Sequence, residues 1–230
     1  MTTVLFLGFL IGLQHAMEAD HVSAVAALAC RLDSTSGMIR QGVYWGIGHS
    51  LTLLCFAGVV FLFGQAIPAD VSYWLETAVA IMLILLGADV LLRLRRENLH
   101  VHVHQHDHGV HHLHLHAHEY GVPHESDHDH EHSDVPWRTL LVGMMHGLAG
   151  SAALVVLLVG ATRSFTLGIA YIVLFGAGSI VGMAALSAVI AVPMRYSAKG
   201  LLRMRGLVHG LVGSVTIFVG LMMMIEHGRP

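Results

Sequence analysis

Long apolar segments dominate the chain, and short polar or Gly/Pro-containing breaks separate them. Each segment reaches the roughly 20 residues that a helix needs to cross the hydrocarbon core of a bilayer. We therefore predict an all-α, polytopic membrane protein with six transmembrane helices. The predicted spans are 3–30, 40–64, 71–94, 137–162, 165–192 and 202–226, and the polar interval 95–136 divides them into two groups of three.

Composition agrees with a membrane location and excludes several function classes. The chain is 55% hydrophobic and 12% charged, about half the charged fraction of a soluble domain. Its basic residues stand singly at helix ends, so we expect no nucleic-acid partner. There is no G-x-x-x-x-G-K-[ST] motif, so we expect no nucleotide hydrolysis. Cys30 and Cys55 form no C-x-x-C pair and predict no disulfide framework, and the N-terminus predicts a retained helix rather than a signal peptide.

Positive charges predict the orientation of the spans. With the N-terminus outside, the first, third and fifth loops face the cytoplasm, and these loops with their flanks hold ten of the twelve basic residues. The ten are Arg31, Arg40, Arg93, Arg95, Arg96, Arg138, Arg195, Lys199, Arg203 and Arg205; the other side has Arg163 and Arg229. We therefore expect both termini outside and the 95–136 loop in the cytoplasm.

An internal repeat links residues 1–94 to residues 137–230. The matches are about 130 residues apart and keep their order along the chain. They pair Gly12 with Gly143, His15 with His146, Gly46 with Gly176, Gly48 with Gly178, Glu76 with His209, and Gly87 with Gly220. Because each repeat has three predicted spans, the second copy is inverted relative to the first. Secondary transporters use this architecture, with the substrate site near mid-membrane at the repeat interface.

Four ionisable residues lie close together within the first predicted span: His15, Glu18, Asp20 and His21. A charged group at the centre of a membrane helix costs about 2.5–3.5 kcal/mol on insertion scales, so such groups usually pair, face water or bind a ligand. On a regular helix, His15, Glu18 and His21 share one stripe, and Asp20 points about 140° away from His15. Either Asp20 orients a His on a neighbouring helix, or the helix is unwound here.

Imidazole and carboxylate ligands suit nickel, zinc, copper and iron, whereas calcium and magnesium prefer shells of oxygen. We expect His49 and His146 to join the four residues of the first span as metal ligands. Supporting or path residues are Ser50, Ser151, Glu76 and His209. A purely structural ion-pair network and a proton relay remain alternatives. Asp89 is expected to pair with Arg93, four residues later.

The loop contains fourteen His between His100 and His132, interleaved with acidic residues. It has few large apolar residues, so we expect it to be largely disordered without metal. Most imidazoles are neutral near pH 7 and available to metals. The predicted metal-buffering residues are His102, His104, His106, His108, His112, His114 and His116.

The run from His15 to His21 matches the H-x-x-x-x-D-H signature of the nickel/cobalt transporter family. Gly48-His49-Ser50 resembles that family's second signature. The likeness is strongest over 3–94, whereas Gly143–Ser151 replaces a family motif that contains Asp, Thr and Glu. Family members usually have eight spans, so this chain is more similar to the shorter, urease-accessory-type relatives. The resemblance implies nickel or cobalt as substrate, and its efflux branch also has a His-rich cytoplasmic loop.

We therefore predict a secondary permease, not an enzyme, that moves Ni²⁺ or Co²⁺ into the cytoplasm without a catalytic cofactor. Its expected partners are metal ions, the bilayer of the cell membrane and cytoplasmic metallochaperones. Three alternatives stay open: efflux through the same residues, a transmembrane thiol relay through the two cysteines, and a metal-binding or sensing membrane protein without transport.

Overall fold

The computed structural model describes residues 2–32, 34–63, 68–97, 136–148, 164–199 and 202–227. All regular structure in these ranges is α-helical, as the apolar segments predict. The helices are α1 Thr2–His15, α2 Ala19–Ala29, α3 Thr35–Phe63, α4 Ala69–Glu97, α5 Pro136–Gly147, α6 Phe165–Lys199 and α7 Leu202–His227. The His-rich loop, Ser151 and most of the fourth predicted span lie outside the described residues.

Among the described residues, four helices are long and apolar enough to cross a membrane. Their apolar stretches are Thr35–Val59, Asp70–Arg96, Phe165–Arg195 and Met204–Glu226. Many large apolar side chains on these helices point outwards, including Leu85 and Leu207, because lipid rather than water is the solvent of a membrane protein. The protein is thus a helical membrane protein, and these four stretches overlap the second, third, fifth and sixth predicted spans.

The first predicted span is two short helices rather than one. Helix α1 ends at His15, and α2 begins at Ala19. Between them the main chain of Glu18 is extended, with φ −65° and ψ 151°, and its N–H donates to the carbonyl of His15 at 3.1 Å. The predicted stripe of His15, Glu18 and His21 on one regular helix is therefore wrong. Periodicity misled here because the carboxylate of Asp20 accepts from the main-chain N–H of His21, a local contact that a helical pattern does not reveal.

The two short helices α1 and α5 each pack against a long helix of the other half, α1 on α6 and α5 on α3. Glycine allows both approaches. A Cβ atom at Gly12 would overlap the main-chain carbonyl of Phe175, and one at Gly143 would overlap the main-chain carbonyl of Trp45. Small residues commonly allow membrane helices to pack this closely. The two contacts are therefore reciprocal between the halves.

Helices α4 and α7 also make reciprocal contacts. A Cβ atom at Gly87 would meet the carbonyl of Gly213 at 2.6 Å, and one at Gly220 would meet the carbonyl of Ala80 at 2.7 Å. The remaining long helices, α3 and α6, pack against each other, with α5 on α3 and α1 on α6. The contacts of α3 with α6 include Gly46 with Ile180. The core cluster around Trp45 and other buried side chains lies where α2, α3, α4 and α6 meet.

Several basic side chains form contacts at one end of the helices. Arg93 Nε lies 2.8 Å from Asp89 Oδ2, which confirms the predicted pair, and Arg31 Nη2 lies 3.0 Å from the same oxygen. Arg195 Nη1 donates to Thr35 Oγ1 at 3.5 Å. These contacts bring the ends of α2, α4 and α6 and the start of α3 to the same end of the molecule. Both cysteines are free thiols.

Candidate metal centre

The break between α1 and α2 gathers four histidines and a carboxylate. His15 is the last residue of α1, and Asp20 and His21 belong to the first turn of α2. His49 comes from α3 and His146 from α5. The four imidazoles are buried, with exposed fractions of 5% or less. A group of ionisable side chains this deep in a membrane protein is a candidate functional site.

His21 lies at the centre of this cluster. The centroid of its ring is 4.4 Å from that of His15, 5.2 Å from that of His49 and 4.3 Å from that of His146. The rings of His15 and His49 are 5.3 Å apart. A single ion near His21 would therefore lie close to imidazoles from four different helices, α1, α2, α3 and α5.

Three of the imidazoles form a group with the spacing of metal ligands. One ring nitrogen from each of His15, His21 and His49 lies within 4.8 Å of the others. Among the described residues, His15 Nε2, His21 Nε2 and both ring nitrogens of His49 have no hydrogen-bond partner. Buried polar atoms without partners are costly. Coordination of a cation would satisfy these nitrogens.

Asp20 forms a second group with His21 and His146. Its Oδ1 accepts from both the main-chain N–H and the Nδ1 of His21, each at 2.9 Å. Its Oδ2 accepts from His146 Nε2, also at 2.9 Å. Both sequence alternatives for Asp20 therefore apply: the helix is unwound just before it, and it orients a His on a neighbouring helix. Glu18, more than half exposed, places Oε1 2.9 Å from His15 Nδ1.

Comparison with known proteins agrees with this chemistry. Residues 1–226 match the family model of the high-affinity nickel-transport proteins, NicO. The chain belongs to this family. The resemblance drawn from the two histidine signatures is thereby confirmed, and it covers both halves of this NicO protein rather than the first alone.

Two relatives of this NicO chain have names that refer to urease and to hydrogenase. It is 33% identical over 200 residues to the urease accessory protein UreH of Bacillus sp. (strain TB-90), an alignment that covers 86% of this chain and 81% of that protein. It is 32% identical over 96 residues to the hydrogenase nickel incorporation protein HupN of Bradyrhizobium diazoefficiens, covering 39% of this chain and 25% of that protein. No solved structure matches the chain.

Two aromatic rings enclose the histidines of this NicO protein, and sequence reasoning missed both. The ring of Trp45 lies 5.4 Å from that of His21 and 5.1 Å from that of His146, and the ring of Phe175 lies 5.3 Å from that of His15. The available signal was positional: Trp45 precedes His49 by four residues, one helical turn. The rings exclude water, which strengthens electrostatic interactions inside the site.

The structure describes three of the remaining predicted site residues, Ser50, Glu76 and His209. Ser50 donates to the carbonyl of Gly176 at 3.1 Å, so it joins α3 to α6. Glu76 accepts from Ser72 within α4, and His209 is buried in α7. Neither Glu76 nor His209 belongs to the two groups of candidate ligands found among the described residues. Ser151 and the loop histidines lie outside the described residues.

Proposed function

We propose that this NicO chain is a secondary permease that carries Ni²⁺ through the buried histidine cluster at the α1–α2 break. The observation that supports this most is the convergence of His15, His21, His49 and His146, with Asp20 and Glu18, from three separate parts of the chain. Family membership supports nickel as the cargo. The names of UreH and HupN suggest that the imported metal supplies nickel enzymes.

The ligand chemistry agrees with a late first-row divalent cation. Imidazole nitrogens suit nickel, copper, zinc and iron, and they suit Mg²⁺ and Ca²⁺ poorly. Cobalt lies next to nickel in the affinity series for such ligands, so Co²⁺ is the proposed second cargo. The internal ion-pair network considered as an alternative explains Asp20 but leaves the ring nitrogens of His49 without partners among the described residues.

The proposed architecture is two inverted three-helix repeats, 1–94 and 137–230, joined by the His-rich loop. The reciprocal glycine contacts of Gly12 with Phe175 and of Gly143 with Trp45 support it. In this arrangement α1 and α2 together make the first crossing, and the histidine cluster lies at its middle. Broken helices at a repeat interface form the substrate sites of many secondary transporters.

The proposed direction of transport is inward. The excess of Lys and Arg at one end of the spans assigns that end, and the 95–136 loop, to the cytoplasm. An inside-negative potential then favours inward movement of a divalent ion by about 4–5 kcal/mol per 100 mV. Protons compete with the metal for imidazole nitrogens and assist its release. Loop histidines capture the ion and pass it to cytoplasmic metallochaperones.

Accumulation of radioactive nickel by cells tests the function and its direction. Cells that express the protein should accumulate more nickel than cells without it, and His21→Ala and His49→Ala should remove the difference at equal expression. The matched control is His227→Ala, which changes the last residue of α7. An exporter would instead lower cellular nickel, and a sensor without transport would leave accumulation unchanged.

A further inference from the structure

The five residues of the cluster divide into two groups that share His21. We propose that only His15, His21 and His49 bind the ion, and that Asp20 and His146 are positioning residues that hold His21 toward it. This inference rests on the proposed function, because it assigns roles within the nickel site. It also separates residues that the H-x-x-x-x-D-H signature leaves undistinguished.

The hydrogen bonds of Asp20 support this division. Its two oxygens together accept three hydrogen bonds, each of 2.9 Å, from His21 N, His21 Nδ1 and His146 Nε2. A carboxylate only accepts, so the ring nitrogens that face it carry the protons. A protonated ring nitrogen does not bind a metal. Asp20 therefore leaves His21 with its Nε2 lone pair available, on the opposite side of the ring.

The position of His21 Nε2 also supports this division of roles. His21 Nε2 is buried without a hydrogen-bond partner among the described residues, and His21 belongs to the nitrogen group with His15 and His49. A histidine that donates one N–H to a carboxylate while its other nitrogen binds a metal is a recurring arrangement in metal sites. Asp20 thus sets both the tautomer and the ring orientation of His21.

His146 lies next to Asp20 and His21 and farther from the proposed ligand His49. Its ring is 4.3 Å from that of His21 but 6.1 Å from that of His49, and it is not in the nitrogen group of His15, His21 and His49. Its Nε2 lies 2.9 Å from Asp20 Oδ2, its buried Nδ1 has no hydrogen-bond partner among the described residues, and the ring of Trp45 lies 5.1 Å away in a T-shaped arrangement. His146 therefore acts on the ion through Asp20 and His21, and α5 of the second half steadies a ligand of the first.

Fluorescence of Trp45 provides a measurement of nickel binding at this site in the purified full-length protein. The chain has three tryptophans, and Trp74 and Trp137 are exposed. With Trp74→Phe and Trp137→Phe as background, Ni²⁺ bound by His21 should quench Trp45, whose ring is 5.4 Å from that of His21. Titration with NiCl₂ then gives a Kd for each variant.

The decisive variants are His146→Ala, His146→Gln, Asp20→Ala and the Asp20→Ala/His146→Ala double variant. Removal of an outer-shell partner typically weakens metal affinity about 10–100-fold, and we expect that loss for His146→Ala and for Asp20→Ala. Glutamine keeps an N–H donor for Asp20 but has no imidazole nitrogen, so His146→Gln should stay within about 3-fold of the parent. The double variant should bind no more weakly than Asp20→Ala, because His146 acts through Asp20.

His49→Gln is the matched comparison, since a glutamine cannot replace a ligand nitrogen, and we expect it to bind as weakly as His49→Ala. The proposal is overturned if His146→Gln binds nickel as weakly as His146→Ala, or if the double variant loses affinity beyond Asp20→Ala. Gel filtration and the Trp45 emission maximum check that each variant is folded. A parent protein that neither binds nor transports nickel would contradict the proposed function itself rather than this division of roles.

Discussion

Trp45 on α3 and Phe175 on α6 make matching contacts, because the main-chain carbonyl of each receives a glycine of a short helix from the other half of the chain. One turn later the halves differ. The first half has the buried imidazole of His49, whereas the second has Ser179, whose hydroxyl donates to the carbonyl of Gly12 at 3.2 Å. Helix packing is thus reciprocal while the candidate ligands are concentrated in one half. Close packing constrains small residues in both halves, but a single ion needs only one set of ligands.

The largest expected effect is a loss of nickel affinity on substitution of His49, compared with substitution of Ser179. His49→Ser removes a proposed ligand and should weaken nickel binding by more than the roughly 100-fold typical of outer-shell losses. Ser179→Ala removes only a hydrogen bond between helices and should leave the Kd within about 3-fold of the parent. Trp45 quenching measures both. Equal losses of nickel affinity in the two variants would contradict the concentration of metal ligands in the first half.

Overpacking should affect the two halves alike. Gly12→Val and Gly143→Val each force a side chain into a main-chain carbonyl and should destabilise by about 1–3 kcal/mol or more. Gly58→Val is the control, because a Cβ there meets none of the described atoms within 4 Å. Thermal unfolding in detergent gives the difference in Tm. A variant pair in which only one half responds would contradict the reciprocal packing.

Smaller effects on stability, similar for the two residues, are expected for two serine hydroxyls that form hydrogen bonds between helices. One bond joins α3 to α6, and the other joins α6 to α1. Ser50 donates to the carbonyl of Gly176, and Ser179 to that of Gly12. Interhelical hydrogen bonds in membranes contribute about 0.6 kcal/mol on average. Ser50→Ala and Ser179→Ala should therefore lower stability by a similar small amount without changing nickel affinity. A large loss of transport in Ser50→Ala at normal stability would contradict this and support the predicted role of Ser50 in the path of the metal.

An effect as small as that of the two hydroxyls is expected at Asp89, which pairs with Arg31 and Arg93. Asp89→Asn should cost at most about 1 kcal/mol, since the side chains involved are partly exposed and salt screens them. The loss should shrink further when Tm is measured at high ionic strength. A salt-independent loss of several kcal/mol would mean that the α2–α4 ion pair is a buried structural contact.

Much of the fold could be predicted from the sequence, because membrane insertion demands long apolar segments that hydropathy detects directly. The helix break could be raised from the sequence only as an alternative, because His15, Glu18 and His21 also fit one face of an unbroken helix. The choice between these depends on tertiary partners, above all His146, which lies 126 residues from Asp20. Trp45 and Phe175 were missed because an aromatic residue in an apolar span gives no sign of whether it faces lipid or a site.

Flux of radioactive nickel into sealed proteoliposomes tests the central claim most directly. Purified protein is reconstituted, an inside-negative potential is imposed, and Ni²⁺ uptake is followed with and without His21→Ala. The account predicts saturable uptake by the parent protein that increases with the potential, and uptake by His21→Ala no faster than in protein-free liposomes. The amount and the orientation of the reconstituted protein are verified for both variants. Equal uptake by the parent and His21→Ala would then contradict transport through the histidine cluster.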